Sequence, residues 1–287
     1  MKRGIIWLAS YPKSGNTWFR VFLTNLLQNG NVPANINDLE KTPIASARGI
    51  FDEEMGFEAA DLTADEIDRL RPELYTHLAQ NAEEQLFMKI HDAYTNVTEG
   101  LPLIPQAATD SALYFIRNPL DVAVSFAHHS GWNYDKSVEK MADASFAFCS
   151  KSDRLHSQLR QKLLTWSEHV LSWVDRALFP VCVLRYEDMK SNPLDTFSRA
   201  ARFARLMNTP EQIQKAVDFS SFDKVQDQEK AEGFQEKSPS AAAFFRKGKI
   251  GSWREELTEG QAQQIVRDHQ EVMRRFGYLN DKGEIVF

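Results

Sequence analysis

Cysteine is nearly absent from this chain of 287 residues. Cys149 and Cys182 stand apart, with no C-x-x-C pair and no Cys/His grouping. A zinc site needs clustered ligands and a disulfide framework needs several pairs, so neither is expected and a reducing compartment fits. Long apolar runs are lacking too. Met1-Lys2-Arg3 followed by Gly4 to Ala9 has the order of a signal peptide, but the apolar run stops within six residues at Ser10-Tyr11-Pro12-Lys13. It is too short for a leader. No segment approaches the roughly 18 apolar residues of a membrane span. A cytoplasmic location is expected. Positive charge is not in excess either, since 34 Lys and Arg face 40 Asp and Glu for a net charge of −6. A general nucleic-acid or anionic-membrane surface is therefore not expected. A polyanionic small molecule is still permitted, because a local cluster of cations suffices to bind it.

The chain does have core material: 43% of residues are hydrophobic, including six Trp and nineteen Phe. That suits one α/β domain over 1–287. Short apolar runs at Gly4 to Ala9, Leu86 to Ile90, Ala112 to Ile116 and Val181 to Leu184 read as buried strands. Helices are predicted over Thr17 to Gln28, from the Thr63-Ala64-Asp65-Glu66 capping box towards Gln80, and from Asn118-Pro119 to about His129. Lys162 to Leu178, Pro193 to Met207 and Glu259 to Phe276 carry further helical periodicity. Strands alternating with helices predict a mainly parallel central sheet flanked by helices, with ligands at the carboxyl ends of the strands. The stretch 227–251, rich in Gly, Ser, Lys and Glu, reads as a long loop with partial helix and few large anchors before Phe244. Its cations, Lys230, Lys237, Arg246, Lys247 and Lys249, make it an expected lid.

Three groupings point to chemistry. Ser10-Tyr11-Pro12-Lys13-Ser14-Gly15-Asn16-Thr17-Trp18 follows the first strand and opens a helix. Such a turn binds anions, because free N–H groups at the helix start face the ligand. Gly15 allows close approach, Lys13 adds a cation, and Ser14 and Thr17 add hydroxyls. The lysine precedes the glycine, unlike the GxxxxGK[ST] loop of kinases. Arg117 at a strand end and Ser125 on the following helix are spaced to share an anion. Lys89 and His91, two apart at another strand end, project from one face.

The Tyr-Pro-Lys-Ser-Gly-x-Thr-Trp string resembles the 5′-phosphosulfate loop of the sulfotransferases that use 3′-phosphoadenosine 5′-phosphosulfate (PAPS), with Asn16 where Thr is usual. Arg117-Asn118-Pro119 with Ser125 resembles the same family's 3′-phosphate motif. Three further segments fall in family order: Arg185-Tyr186-Glu187-Asp188-Met189-Lys190, Ser220-Ser221-Phe222, and Phe245-Arg246-Lys247-Gly248-Lys249-Ile250-Gly251-Ser252-Trp253, with Ser252 where Asp is usual. The resemblance implies a P-loop-like nucleotide-binding core and His91 as general base. It implies Lys13 and Lys89 as charge stabilisers and Arg117, Ser125, Arg246, Lys247 and Gly248 around the 3′-phosphate. Tyr186 and Ser221 would lie near the nucleotide, and Trp18 and Phe222 would sandwich adenine. PAPS is the expected donor, a small hydroxyl- or amine-bearing molecule the acceptor, and no metal is expected. Segments 31–60 and 130–160, with Phe51, Phe57, Trp132, Tyr134, Phe146 and Phe148, are the expected acceptor walls. A P-loop kinase or NTPase, or a non-catalytic nucleotide-binding module, are the alternatives.

Overall fold

Four apolar runs form the central sheet. In the computed structural model, which describes residues 4–98, 100–150 and 155–287, the strands are β1 (Ile5–Ser10), β2 (Phe87–Ile90), β5 (Thr109–Ile116) and β8 (Val181–Arg185), in the order β2-β1-β5-β8. β1 and β2 run parallel, with Ile6 opposite Phe87 and Ala9 opposite Ile90. Every residue of both is buried, as expected of parallel strands covered on two faces. Two short antiparallel ribbons, β3 (Asn96–Thr98) with β4 (Leu101–Pro102) and β6 (Ala147–Phe148) with β7 (Gln161–Lys162), stand outside this sheet. The signal-like opening at Met1 to Arg3 lies outside the described residues. No described helix is long and apolar enough to cross a membrane.

Helices follow the strands in chain order: α1 (Asn16–Gln28), α2 (Arg48–Met55), α3 (Ala64–Asn81), α4 (Pro119–Ser130), α5 (Tyr134–Met141), α6 (Trp166–Asp175), α7 (Tyr186–Ser191), α8 (Pro193–Phe203), α9 (Pro210–Phe219), α10 (Phe222–Glu232) and α11 (Glu259–Arg275). The Thr63–Glu66 capping box forms as read, and Asn118 caps α4 by accepting from Leu120 N–H at 3.0 Å. The helix expected from Lys162 is a correction. Gln161–Lys162 pairs as β7, Leu164 turns with φ of 60°, and the helix starts only at the Thr165–Glu168 capping box. Helical periodicity was overridden there by a stronger start signal downstream.

The chain divides into two compact units. The first comprises the chain up to Tyr11, Lys41–Tyr114 and Ala144–Val183; the second comprises Pro12–Glu40, Phe115–Asp143 and Leu184–Phe287. In the first, Trp7 packs edge-on to Tyr75 with centroids 5.0 Å apart, and its indole N–H donates to Thr109 Oγ1 at 2.9 Å. In the second, Phe22 stacks on Phe197 at 4.4 Å, and Phe19 lies 4.9 Å from Phe115.

A second cluster in that unit joins Val21, Ile36, Leu39, Val225, Phe234 and Phe245, with Phe222 and Phe244 against it. This corrects the reading of 227–251. Its first six residues complete α10, and Phe234 and Phe245, 5% and 6% exposed, anchor the rest. The contact is tertiary: Phe245 ends a short apolar patch from Ala241, while Phe234 stands among polar residues and belongs to no periodic run.

Candidate functional site

In the second unit the turn into α1 is shaped for close approach. Lys13 has φ of 69° and Gly15 98°. A non-glycine residue there costs on the order of 1–3 kcal/mol, a strain that concentrates at functional sites. A Cβ on Gly15 would stand 2.7 Å from the Tyr186 ring, so space as well as backbone requires glycine. Gly15 makes no side-chain cap and the first turn of α1 holds no acid, whereas α3, α6, α9 and α11 all open with capping boxes. The positive end of α1 is thus left for an external anion. Ser14 Oγ is buried without a partner. The Lys13 ammonium sits 3.9 Å from the centroid of the Phe244 ring.

Arg117 joins this turn to two other segments. It is 8% exposed, donates to the carbonyls of Lys13 and Lys249 at 3.2 Å each, and stacks 4.2 Å over the Tyr186 ring. Its Nε is buried without a partner. Asp121 comes within 3.9 Å of the guanidinium, but its carboxylate accepts from Gly251 N–H at 2.8 Å and from Ser252 Oγ and Trp253 N–H at 3.1 Å. The hydroxyl of Ser252 therefore has a role in tying 251–253 to α4. Ser125 lies on the second turn of α4, half-buried. Tyr186 is pushed above its usual pKa by burial, which the nearby Arg117 opposes.

Two aromatic rings flank a cation beside this cluster. The Trp18 indole donates to the Ser220 carbonyl at 2.7 Å and lies edge-on to Tyr186. Ser221 precedes α10 without capping it through its side chain, and Phe222 opens that helix. Gly248, at φ of 58°, lies on the Phe222 ring so closely that a Cβ would stand 2.3 Å away. The Lys190 ammonium is 5.5 Å from the Trp18 ring and 5.2 Å from the Phe222 ring, and burial lowers its pKa.

Three cations of the expected lid have carboxylate partners. Arg246 and Lys247 both donate to Glu256, at 2.9 and 2.8 Å, and Tyr134 and His128 reach the same carboxylate at 2.6 and 2.8 Å. Burial pushes this carboxyl up, but the bonds from Lys247, Tyr134, His128 and Arg246 hold it far below the usual carboxylate range. Lys230 pairs with Asp227 at 3.2 Å.

The first unit carries Lys89 and His91. Lys89 is 8% exposed, and its own N–H and C=O bond Pro43 O and Ala45 N–H at 2.8 Å each, which fixes the end of β2. His91 Nδ1 lies 2.8 Å from the Ser10 carbonyl oxygen and 3.3 Å from Ser10 Oγ. A carbonyl only accepts, so Nδ1 carries the proton and Nε2 keeps the lone pair. The next residue, Asp92, receives both terminal nitrogens of buried Arg71, at 3.1 and 2.7 Å. Phe51, expected in an acceptor wall, is 0% exposed and packs edge-on to Phe57: it is core. Residues 151–154 of the other expected wall lie outside the described residues.

The structure thus gathers Lys13, Ser14, Gly15, Asn16, Thr17, Trp18, Arg117, Tyr186, Phe222 and Gly248 in one unit. It also supplies partners that reading the sequence missed: Phe244 under Lys13, Lys190 between two rings, Glu256 holding the lid cations, and His169 bonded to the His91 carbonyl. Asp121 alone had a local signal, as the acid that follows Asn-Pro.

Three comparisons place the chain among known proteins. A family model described as "Sulfotransferase domain" matches residues 4–277. The chain is similar to Sulfotransferase 1A1 of Canis lupus familiaris, 27% identical over 94% of this chain and 83% of that one. It is also similar to Cytosolic sulfotransferase 17 of Arabidopsis thaliana, 25% identical over 96% and 76%. Among solved structures, retinol dehydratase in complex with androsterone and the inactive cofactor PAP superposes with a TM-score of 0.60, at 21% identity over 94% of this chain and 80% of that one. That likeness concerns the fold.

Proposed function

The chain belongs to the sulfotransferase family, and from that premise we propose that it moves a sulfuryl group from PAPS to a hydroxyl or amine of a small-molecule acceptor, releasing adenosine 3′,5′-bisphosphate (PAP). The observation that carries the choice of donor is the cluster in the second unit. An uncapped helix start beside strained Lys13 and unpartnered Ser14 Oγ suits one phosphate, and buried Arg117 with an unused Nε donor suits a second. A bisphosphorylated nucleotide meets both demands. A kinase loop would place its lysine after the glycine.

The chain's own groups then have distinct tasks. His91 Nε2 takes the acceptor proton as the acceptor oxygen or nitrogen bonds sulfur. The S–O bond to the phosphate breaks with its electron pair left on oxygen, and Lys13 stabilises that charge. Lys89 offsets charge on the sulfuryl oxygens. Arg117, Ser125, Arg246 and Lys247 hold the 3′-phosphate, and Trp18 and Phe222 flank the base once Lys190 has moved aside. A relative named "cytosolic" supports a cytoplasmic enzyme. Incubation with ³⁵S-labelled PAPS and a library of phenols, alcohols and amines tests the reading. Label in a small-molecule product together with PAP is the expected result. No transfer to any acceptor, with ATP bound as tightly as PAP, would overturn it in favour of an NTPase.

A further inference from the structure

We propose that Tyr114 and His169 are positioning residues for His91: with the Ser10–Tyr11 peptide they close a head-to-tail ring of hydrogen bonds that fixes which nitrogen of the His91 imidazole is protonated. The proposal rests on the reading of His91 as the base, and all its members lie in the first unit. The ring starts at one peptide group. The main chain of Tyr11 bonds the Tyr114 phenol. His169 donates from Nε2 to the His91 carbonyl oxygen, 3.0 Å away, because a carbonyl only accepts. The phenol therefore donates to His169 Nδ1 at 2.8 Å, and its oxygen is left to accept from the Tyr11 N–H. His91 in turn donates from Nδ1 to the Ser10 carbonyl at 2.8 Å, the other half of the peptide where the ring began. Each group has only one role consistent with its neighbours, so the orientation of every proton follows from the first.

A ring with this direction needs a neutral His169. The residue is 0% exposed, and burial lowers its pKa to about 4, so at neutral pH its Nδ1 accepts. Its place on α6 adds a mechanical constraint. His169, Ser172 and Trp173 fall on one helical face, and all three engage the backbone that follows β2. His169 bonds the His91 carbonyl, Trp173 Nε1 donates to the Asp92 carbonyl at 3.0 Å, and Ser172 Oγ accepts from Tyr94 N–H at 3.0 Å. The peptide planes carrying His91 are therefore set by α6, and the imidazole is aimed through them.

Two measurements test this. Long-range ¹H–¹⁵N NMR correlations on the wild-type protein should show His91 protonated on Nδ1 and His169 on Nε2 at neutral pH; the opposite tautomer at either residue overturns the ring. With PAPS and the acceptor ranked first in the label screen, His169→Leu should lower kcat about 10- to 100-fold, the range for partners that orient a functional histidine, with PAP affinity unchanged. His169→Gln, whose amide reaches the place of Nε2 and still donates to the His91 carbonyl, should recover most of that loss, and Tyr114→Phe should fall between the two. A Gln variant as impaired as Leu, or a loss of PAP affinity in step with kcat, would reduce His169 to a packing residue. If His169→Leu does not fold, the wild-type tautomers and the Gln variant still decide. Full turnover in His91→Ala would remove the base reading alone, whereas wrong tautomers would remove the ring alone.

Discussion

At the scale of single residues, the roles proposed for Lys13 and His91 separate binding from proton transfer. Lys13 belongs to the anion turn, held at φ of 69° with its ammonium 3.9 Å from the Phe244 ring centroid. His91 belongs to a hydrogen-bonded loop whose tautomer is set by a main-chain carbonyl. Lys13→Ala and His91→Ala should each lose about 100-fold or more in kcat, the common scale for a charge stabiliser or a general base. Their PAP affinities should diverge, falling sharply for Lys13→Ala and little for His91→Ala. Isothermal titration with PAP beside steady-state kinetics measures both, and equal losses of affinity would contradict the division of roles.

At the scale of elements, the segment after α10, which we propose as a lid, is held by its own contacts. Phe234 and Phe245 are buried, Arg20 pairs with Glu236 at 2.6 Å, and Glu256 holds Arg246 and Lys247. Hydrogen exchange without nucleotide should therefore show protection over 233–245, where burial anchors the chain. Adding PAP should raise protection mainly over 246–251, where Arg246 and Lys247 exchange a carboxylate for a phosphate and Gly248 lies against Phe222. A uniform rise from 233 to 251 would mean that the anchors fail without ligand. Phe234→Ala, which removes a buried ring, should lower stability by about 3–5 kcal/mol.

At the scale of the whole molecule, a net charge of −6 coexists with the cations of the proposed nucleotide site, so ligand binding should dominate the response to anions. PAP should raise Tm more than AMP or ATP at equal concentration, because a ligand that binds only the native state stabilises it by RT ln(1 + [L]/Kd), about 2.7 kcal/mol at 100 times Kd. Arg117→Ala should erase the advantage of PAP; a larger shift with ATP than with PAP would contradict the donor. Stability should also fall with acid. Burial lowers His169 and His269 to about 4 each, so the unfolded chain binds protons that the folded chain refuses. Their contribution is present above the unfolded value near 6.5 and is lost as pH falls from there through 4, on the order of 3 kcal/mol for each. Urea midpoints at pH 7 and pH 5 check this, with His169→Gln expected to show a shallower loss.

What the sequence determined by itself is local. The strand runs, the Thr63 and Asn118 caps and the Lys13–Trp18 turn are written in residues that are neighbours in the chain, because backbone preference and capping act over a few positions. The Thr209–Gln212 capping box that opens α9 is equally local. Only the tertiary structure decided that His169 bonds His91 across 78 positions, that Asp121 holds Gly251 to Trp253, and that Phe234 and Phe245 are core. Such pairings depend on which faces of distant elements pack together, and a buried polar group accepts whichever partner that packing brings within hydrogen-bond reach. The motifs therefore named the chemistry, while the partners that aim and hold those residues came from the fold.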